Sequence, residues 1–290
     1  MTLTPRHSDL AIASPVLSDA DFDALASLLH RRTGIKLAPS KRPLVISRLS
    51  KRLRALGLSE FGDYRRLVEK ETDGAEFTNM VSSLTTNVTK FFRENQHFVD
   101  LSKLIKSDLA TRAKRGTKVR IWSAGCSTGE EPYSLATTVL SSFPDAASYD
   151  FKILATDIDP KVVAKAQAGH YPEQAVKQAG SQELRTYFDP APNEEMSASR
   201  SLRQLITFRI LNLLEPWPMK GTFDVIMCRN VVIYFDEDTQ ERLFCRFAAL
   251  LPPGGRFYIG HSERLTKRAQ HYFDADGVTS FVRNNTPIDA

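Results

Sequence analysis

A change of grammar at about Val119 constrains this chain more than any other feature. From there on, short apolar runs ending in small or polar residues recur: VRIWSAG from Val119, FKILATD from Phe151, ITFRILNL from Ile206, FDVIMCRN from Phe223 and RFYIGHS from Arg256. Stretches of helical character at 132–142, 160–168 and 236–251 separate several of them. Strands alternating with helices specify a parallel sheet covered on both faces, because each crossover helix buries its apolar stripe against the sheet. Residues 169–205 interrupt the alternation with weak periodicity and many polar side chains. They read as an insertion between the second and third strands.

Upstream the pattern is helical. Ser18 or Asp19 can cap a helix carrying Phe22, Leu25, Leu28 and Leu29 on one face, with Gly34 placed to end it. Ser40 can cap the next, with Pro43 in its first turn, Gly57 past its end, and a stripe of Leu44, Val45, Leu49, Leu53 and Leu56. Ser59 begins a third helix and Asp73 a fourth. The expected organisation is a frayed stretch over 1–15, a four-helix unit over 16–84, a linker over 85–95, and a sheet domain over 96–290 with its insertion at about 170–205.

Charge sharpens this division. The formal net charge is +5 over 290 residues. Residues 24–59 hold no acid and nine bases: Arg31, Arg32, Lys36, Lys41, Arg42, Arg48, Lys51, Arg52 and Arg54. Taking nine from +5 leaves −4, so a mildly acidic protein carries one basic segment. Lys36 to Leu58 contains no aromatic residue, which removes the stacking platforms of a single-strand nucleic-acid binder. The three cysteines, Cys126, Cys228 and Cys245, form no CxxC and no even disulfide framework, so a reducing compartment and no structural metal are expected. No apolar run approaches a membrane span and the N-terminus lacks a secretory pattern; a cytoplasmic protein is expected.

Ligands of an open α/β sheet collect at the carboxyl ends of its strands. SAGCSTGEEP follows the first strand, Asp157 ends the second, Leu211, Asn212 and Leu213 follow the third, and Cys228, Arg229 and Asn230 the fourth. Glu130 and Glu131 at a helix start would repel a phosphate, which disfavours a dinucleotide and its dehydrogenases, and suits a ligand with a positive amino group. Asp157 can accept both hydroxyls of a ribose; the competing reading is a helix cap, a role Asp159 can also fill. An adenosine-like ligand with an amino-acid moiety points to S-adenosylmethionine. From physics alone, TTNVTKFFRE (85–94) reads as linker turns, with Arg93 paired to a surface carboxylate.

TTNVTKFFRE, WSAGCSTGEEPYS, ATDID, LNLLE, FDVIMCRNVVIYFD and GHSE, in that order over nearly the whole chain, resemble the CheR family of chemotaxis receptor methyltransferases. The resemblance implies a class I S-adenosylmethionine-dependent methyltransferase, a Rossmann-like doubly wound sheet with a small β-subdomain insertion and an N-terminal all-helical domain. It implies methyl transfer to receptor glutamates, with S-adenosylhomocysteine as product and no metal. Cofactor contacts then fall on Asn87, Thr89, Arg93, Glu131, Asp157, Asn212, Leu213, Arg229 and Asn230. Arg93 and Tyr234 become the candidates for assisting transfer, and residues 85–95 become a lid rather than a plain linker. Lys41, Arg42, Arg48, Lys51, Arg52 and Arg54 become a docking face for acidic receptor helices, against the plainer reading of a solvated helix face. A monomer is expected. Some family members dock a receptor pentapeptide on a glycine-bearing loop of the β-subdomain; the segment here, FDPAPNEEMSASRSLRQ, has none, which implies an enzyme independent of that tether. Unrelated readings, a nucleic-acid binder or a signalling module without catalysis, fit less of the chain.

Overall fold

The computed structural model describes residues 15–71 and 74–288. The frayed stretch expected over 1–15 lies, apart from Pro15, outside the described residues, as does Asp73. The chain divides into two compact units: residues up to Arg31 with Leu37–Leu84, and Arg32–Lys36 with the chain from Thr85 onward.

The first unit is all helical. Helix α1 spans Asp19–Thr33, α2 Arg42–Leu56, α3 Phe61–Lys70 and α4 Ala75–Leu84. Ser18 is the cap of α1: its hydroxyl oxygen accepts the Asp21 amide at 3.0 Å. Gly57 ends α2 at φ +69°, and the Leu58 amide reaches back to the Leu53 carbonyl at 2.9 Å. Ser40 is not a side-chain cap. It lies inside a single 3-10 turn, Pro39–Lys41, that leads into α2. Val45, Leu49 and Leu53 are buried, as are Phe22, Leu25, Leu29, Phe61, Tyr64 and Met80 of the neighbouring helices. Three positions of the α2 stripe thus face the core, while Leu44 is half-buried and Leu56, in the last turn, is exposed.

The basic side chains of α2 have divided fates. Arg42 bonds Asp19 and the Leu17 carbonyl. Arg48 donates to the Ser83 and Leu84 carbonyls at 3.2 and 3.1 Å, at the end of α4 where carbonyls lack helical partners. Arg52 forks onto Glu76. Lys51 and Arg54 are exposed, as is Lys41 in the turn before the helix.

The second unit is built on ten strands: β1 Val119–Ala124, β2 Phe151–Asp157, β3 His170–Pro172, β4 Phe188–Ala191, β5 Glu195–Ala198, β6 Ile206–Ile210, β7 Val225–Cys228, β8 Arg256–Ile259, β9 Phe273–Ala275 and β10 Ser280–Arg283. Seven form one sheet in the order β6-β2-β1-β7-β8-β10-β9. The first five pair in parallel, and β10 joins β8 and β9 antiparallel. The sheet is thus mixed, and the apolar runs in the sequence mark its strands only as far as β8. The insertion holds a separate antiparallel sheet, β3-β5-β4.

Each face of the large sheet has its own core. Leu135, Ala136 and Val139 of the helix Glu130–Ser142 pack with Ile121, Ile153 and Phe208 on one side. Phe244 and Phe247 of the helix Glu237–Leu250 pack with Trp122, Ile226 and Phe257 on the other. Trp122 is fully buried against Trp217, Phe223 and Phe247, and its indole N–H donates to Thr156 Oγ1 at 2.9 Å. Burial of a side chain this size with its one donor satisfied is worth about 3 kcal/mol. Among the described residues, no helix is long and apolar enough to cross a membrane.

Candidate active site

The chain leaves β1 toward β2 on one side and reaches β7 on the other, so strand order reverses between β1 and β7 and a crevice opens at their carboxyl ends. The turn after β1 is tight. Gly125 has φ +88°, and a Cβ there would stand 2.3 Å from Val231 Cγ2 in the loop after β7. Only glycine permits both that backbone and that approach. The amides of Gly125 and Cys126 both donate to the Thr156 carbonyl at 2.8 Å.

This turn presents the Ser127 amide to Asp157, whose Oδ2 accepts it at 2.8 Å. The other Asp157 oxygen accepts the Asp159 amide at 3.0 Å. The cap of the helix Pro160–Ala168 is Asp159, which accepts the Lys161 amide at 2.9 Å. The capping role competing for Asp157 is therefore taken, and its carboxylate is left at the strand end. Burial pushes its carboxyl up, against the pull of those two amides.

The two glutamates of GEEP separate. Glu130 accepts the Thr128 hydroxyl at 2.6 Å, within its own turn. Glu131 faces the sheet: Oε1 accepts the Ser123 hydroxyl of β1 at 2.7 Å, and Oε2 accepts Arg229 at 2.9 Å. Arg229, its side chain 1% exposed, also bonds Glu94 at 3.1 Å and the Arg93 carbonyl, above the Phe98 ring. Burial drives the Glu131 carboxyl up, with Arg229 opposing it; burial pushes Glu94 up as well, but Arg229 and the His261 main-chain N–H outweigh it and hold that carboxyl below its ordinary value.

The segment 85–94 joins this network. The Asn87 amide donates to Asp159 Oδ2 at 3.1 Å, and its carbonyl accepts the Ser127 hydroxyl at 3.0 Å. Phe91 is buried against Tyr171 and Phe188. The Phe92 amide donates to Ser134 Oγ at 2.9 Å. Arg93 donates to the Val88 carbonyl at 3.2 Å, not to a surface carboxylate. Thr89 is half-buried between them.

After β7, Asn230 takes φ +59° and its side chain reaches Glu94 at 3.4 Å. One buried carboxylate fixes this loop. Glu263 accepts the amides of Asn230, Val231 and Val232 at 2.9, 2.9 and 3.0 Å and that of Gly260 at 2.5 Å. Tyr234 ends the 3-10 turn Val232–Tyr234, half-buried, its carbonyl accepting the Lys36 amide at 2.8 Å. After β6, Asn212 donates to the Arg32 carbonyl at 2.8 Å and accepts the Leu214 amide at 3.0 Å. The buried Leu213 offers its carbonyl to Trp217 and Arg246.

Ser127 and Asp159 thus join Asn87 to Asp157, Arg229 and Glu94 join Arg93, Glu131 and Asn230, and Asn212, Leu213 and Tyr234 shape adjoining loops. Glu94, Ser123, Ser127 and Glu263 escaped the sequence reading as site residues. All four lie inside the sequence motifs, but the sequence does not show which partners surround them. Among the described residues, no group of three or more His, Cys, Asp or Glu is placed to hold a metal ion. The donor set fits a ribose at Asp157 and a cationic end near Glu131. It does not fit a pyrophosphate, which needs free amides where the two glutamates stand.

Residues 87–282 match the family profile "CheR methyltransferase, SAM binding domain", and residues 20–85 match "CheR methyltransferase, all-alpha domain". The chain belongs to the CheR methyltransferase family. It is 49% identical over 257 residues to a probable chemotaxis protein methyltransferase of Rhizobium etli, covering 88% of this chain and 96% of that one. It is 42% identical over 270 residues to the chemotaxis protein methyltransferase of Escherichia coli K12, covering 92% and 91%. Chemotaxis protein methyltransferase 2 of Pseudomonas aeruginosa is 42% identical over 267 residues, covering 90% and 92%. The CheR domains span both units, and S-adenosylmethionine is the ligand of the larger. The family's reaction is S-adenosylmethionine-dependent methylation of protein glutamate.

Proposed function

We propose that this CheR-family chain methylates glutamate γ-carboxylates of methyl-accepting chemotaxis receptors in the cytoplasm, as a monomer, and does so without a receptor pentapeptide tether. The observation that carries the reading is Asp157, left uncapped at the end of β2 and joined through Ser127 to the Asn87 segment. Bound there, S-adenosylmethionine supplies a methyl carbon that the glutamate oxygen takes as the carbon–sulfur bond breaks.

A substrate glutamate, with an ordinary pKa of about 4.3, is ionised at neutral pH and needs no general base. The protein's work is then positioning and exclusion of water. Asp157 takes the ribose hydroxyls and Glu131 the amino end. Asn87, Thr89 and Arg93 close over the ligand, while Asn212 and Leu213 meet it through their main chain, since the Asn212 side chain is spent on the Arg32 carbonyl and the Leu214 amide. Arg229 and Asn230 hold the floor. Arg93 orients the incoming carboxylate, and Tyr234 donates a hydrogen bond near the reacting carbon. In Arg93→Ala, turnover falls at least about a hundredfold with the melting temperature unchanged; near-normal turnover would sink the assignment.

Two features support the finer points. β4 and β5 are joined by residues 192–194 alone, with Asn193 and Glu194 both at positive φ, so the hairpin has no long glycine-bearing loop. Lys41, Lys51 and Arg54 supply the exposed charge for acidic receptor helices, Arg42, Arg48 and Arg52 being committed within the helical unit.

A further inference from the structure

Two carboxylates share one enclosed guanidinium in the site. Arg229 reaches Glu131 with one terminal nitrogen at 2.9 Å and Glu94 with the other at 3.1 Å. The Glu131 and Glu94 side chains are only 12% and 10% exposed. Two negative charges on one positive leave one in excess. Glu94 is not there by local preference, because its φ of +56° is a costly conformation for a residue with a Cβ. Arg229, the Asn230 amide at 3.4 Å and the His261 main-chain N–H at 3.2 Å hold it in place. Were Glu94 uncharged, Arg229 would cancel Glu131 one for one.

We infer that Glu94 is a positioning residue that sets the charge of the cofactor pocket. By engaging half of Arg229, it leaves Glu131 able to favour the sulfonium donor over the thioether product. The inference rests on S-adenosylmethionine being the donor. That molecule carries net charge +1, whereas S-adenosylhomocysteine is a neutral zwitterion. One unit of excess negative charge in an enclosed site attracts the first and is nearly indifferent to the second. The same device helps the spent product leave.

The test is calorimetry on the full chain with three probes: S-adenosylmethionine, S-adenosylhomocysteine, and sinefungin, whose amine places a positive charge where the sulfonium stands. Glu94→Gln keeps the shape of the side chain and removes its charge. Its affinity for the two cationic probes falls on the order of tenfold, and for S-adenosylhomocysteine less than about threefold. Glu94→Asp keeps the charge and the wild-type ratio of affinities, even where all three affinities drop. Asp150→Asn, which loses an exposed ion pair with Arg120, leaves all three unchanged. An equal loss for all three probes in Glu94→Gln would show a merely structural role and overturn the inference. So would a ratio that shifts as much in Glu94→Asp. A wild-type chain that binds none of the probes would instead remove the donor reading, and this inference with it.

Discussion

Arg52 grips Glu76 at two points, Nε to Oε1 at 3.0 Å and a terminal nitrogen to Oε2 at 2.6 Å, while the Tyr64 hydroxyl donates to Oε1 at 2.9 Å. Burial pushes the Glu76 carboxyl up, but Arg52, Tyr64 and Asn79 outweigh it and hold it below its ordinary value. Glu76 is buried, so loss of Arg52 strands a charge away from water. Arg52→Ala should destabilise the helical unit by roughly 3 kcal/mol, read by denaturant unfolding. The Glu76 contribution is complete above the unfolded carboxylate pKa and is lost as pH falls through the lower folded value.

Receptor docking is then tested at the exposed bases. Lys51→Glu with Arg54→Glu should change stability by less than about 0.5 kcal/mol per site. The pair should slow receptor methylation and flatten its dependence on salt, since exposed charges act mainly on encounter. Undiminished methylation at low salt would remove the docking role.

His97 should make the larger unit sensitive to acid. Its side chain is 1% exposed, with Nε2 at 3.1 Å from both the Val278 carbonyl and Thr279 Oγ1. Burial and the nearby Arg229 push its pKa down to about 4; Glu94 at 3.9 Å and the His261 ring face it as well. An unfolded histidine takes up its proton near pH 6.5, about 2.5 units earlier. Between those values the unfolded state binds a proton that the folded state refuses, so stability falls as pH falls, by about 3 kcal/mol in all. In His97→Gln the unfolding free energy should vary much less between pH 6.5 and 4.

The turn after β1 is predicted to tolerate no Cβ. Gly125→Ala combines a positive φ with a 2.3 Å approach to Val231. It should cost at least about 2 kcal/mol and weaken S-adenosylmethionine binding, checked by melting and calorimetry. Unchanged binding would separate this turn from the site.

A receptor-tail pentapeptide should show no tight binding by calorimetry, because the β4–β5 hairpin closes in three residues. Micromolar binding would contradict tether independence.

The parallel core was legible because β1, β2, β6, β7 and β8 are apolar runs, all but β6 and β7 spaced by helices. Phe273–Ala275 and Ser280–Arg283 were not, being three and four residues long, at the antiparallel edge and partly exposed. The helices Glu173–Gln178 and Gln182–Thr186 span under two turns, too little for a period to register. In the site, Asp157 was readable because its position at a strand end says what it faces. Arg48 and Arg52 were not, since a basic residue in sequence does not announce the carbonyl or carboxylate that folding brings to it. Glu263 is the same case from the acidic side: its four amide donors come from residues 230–232 and 260.

Incubating the protein with receptor-containing membranes and S-adenosylmethionine labelled in its methyl group decides whether it methylates receptor glutamates. Label should appear on the receptor, be released by base as methanol, as a glutamate methyl ester requires, and be lost in Arg93→Ala. No transfer to receptor, or transfer that survives base, would contradict that activity.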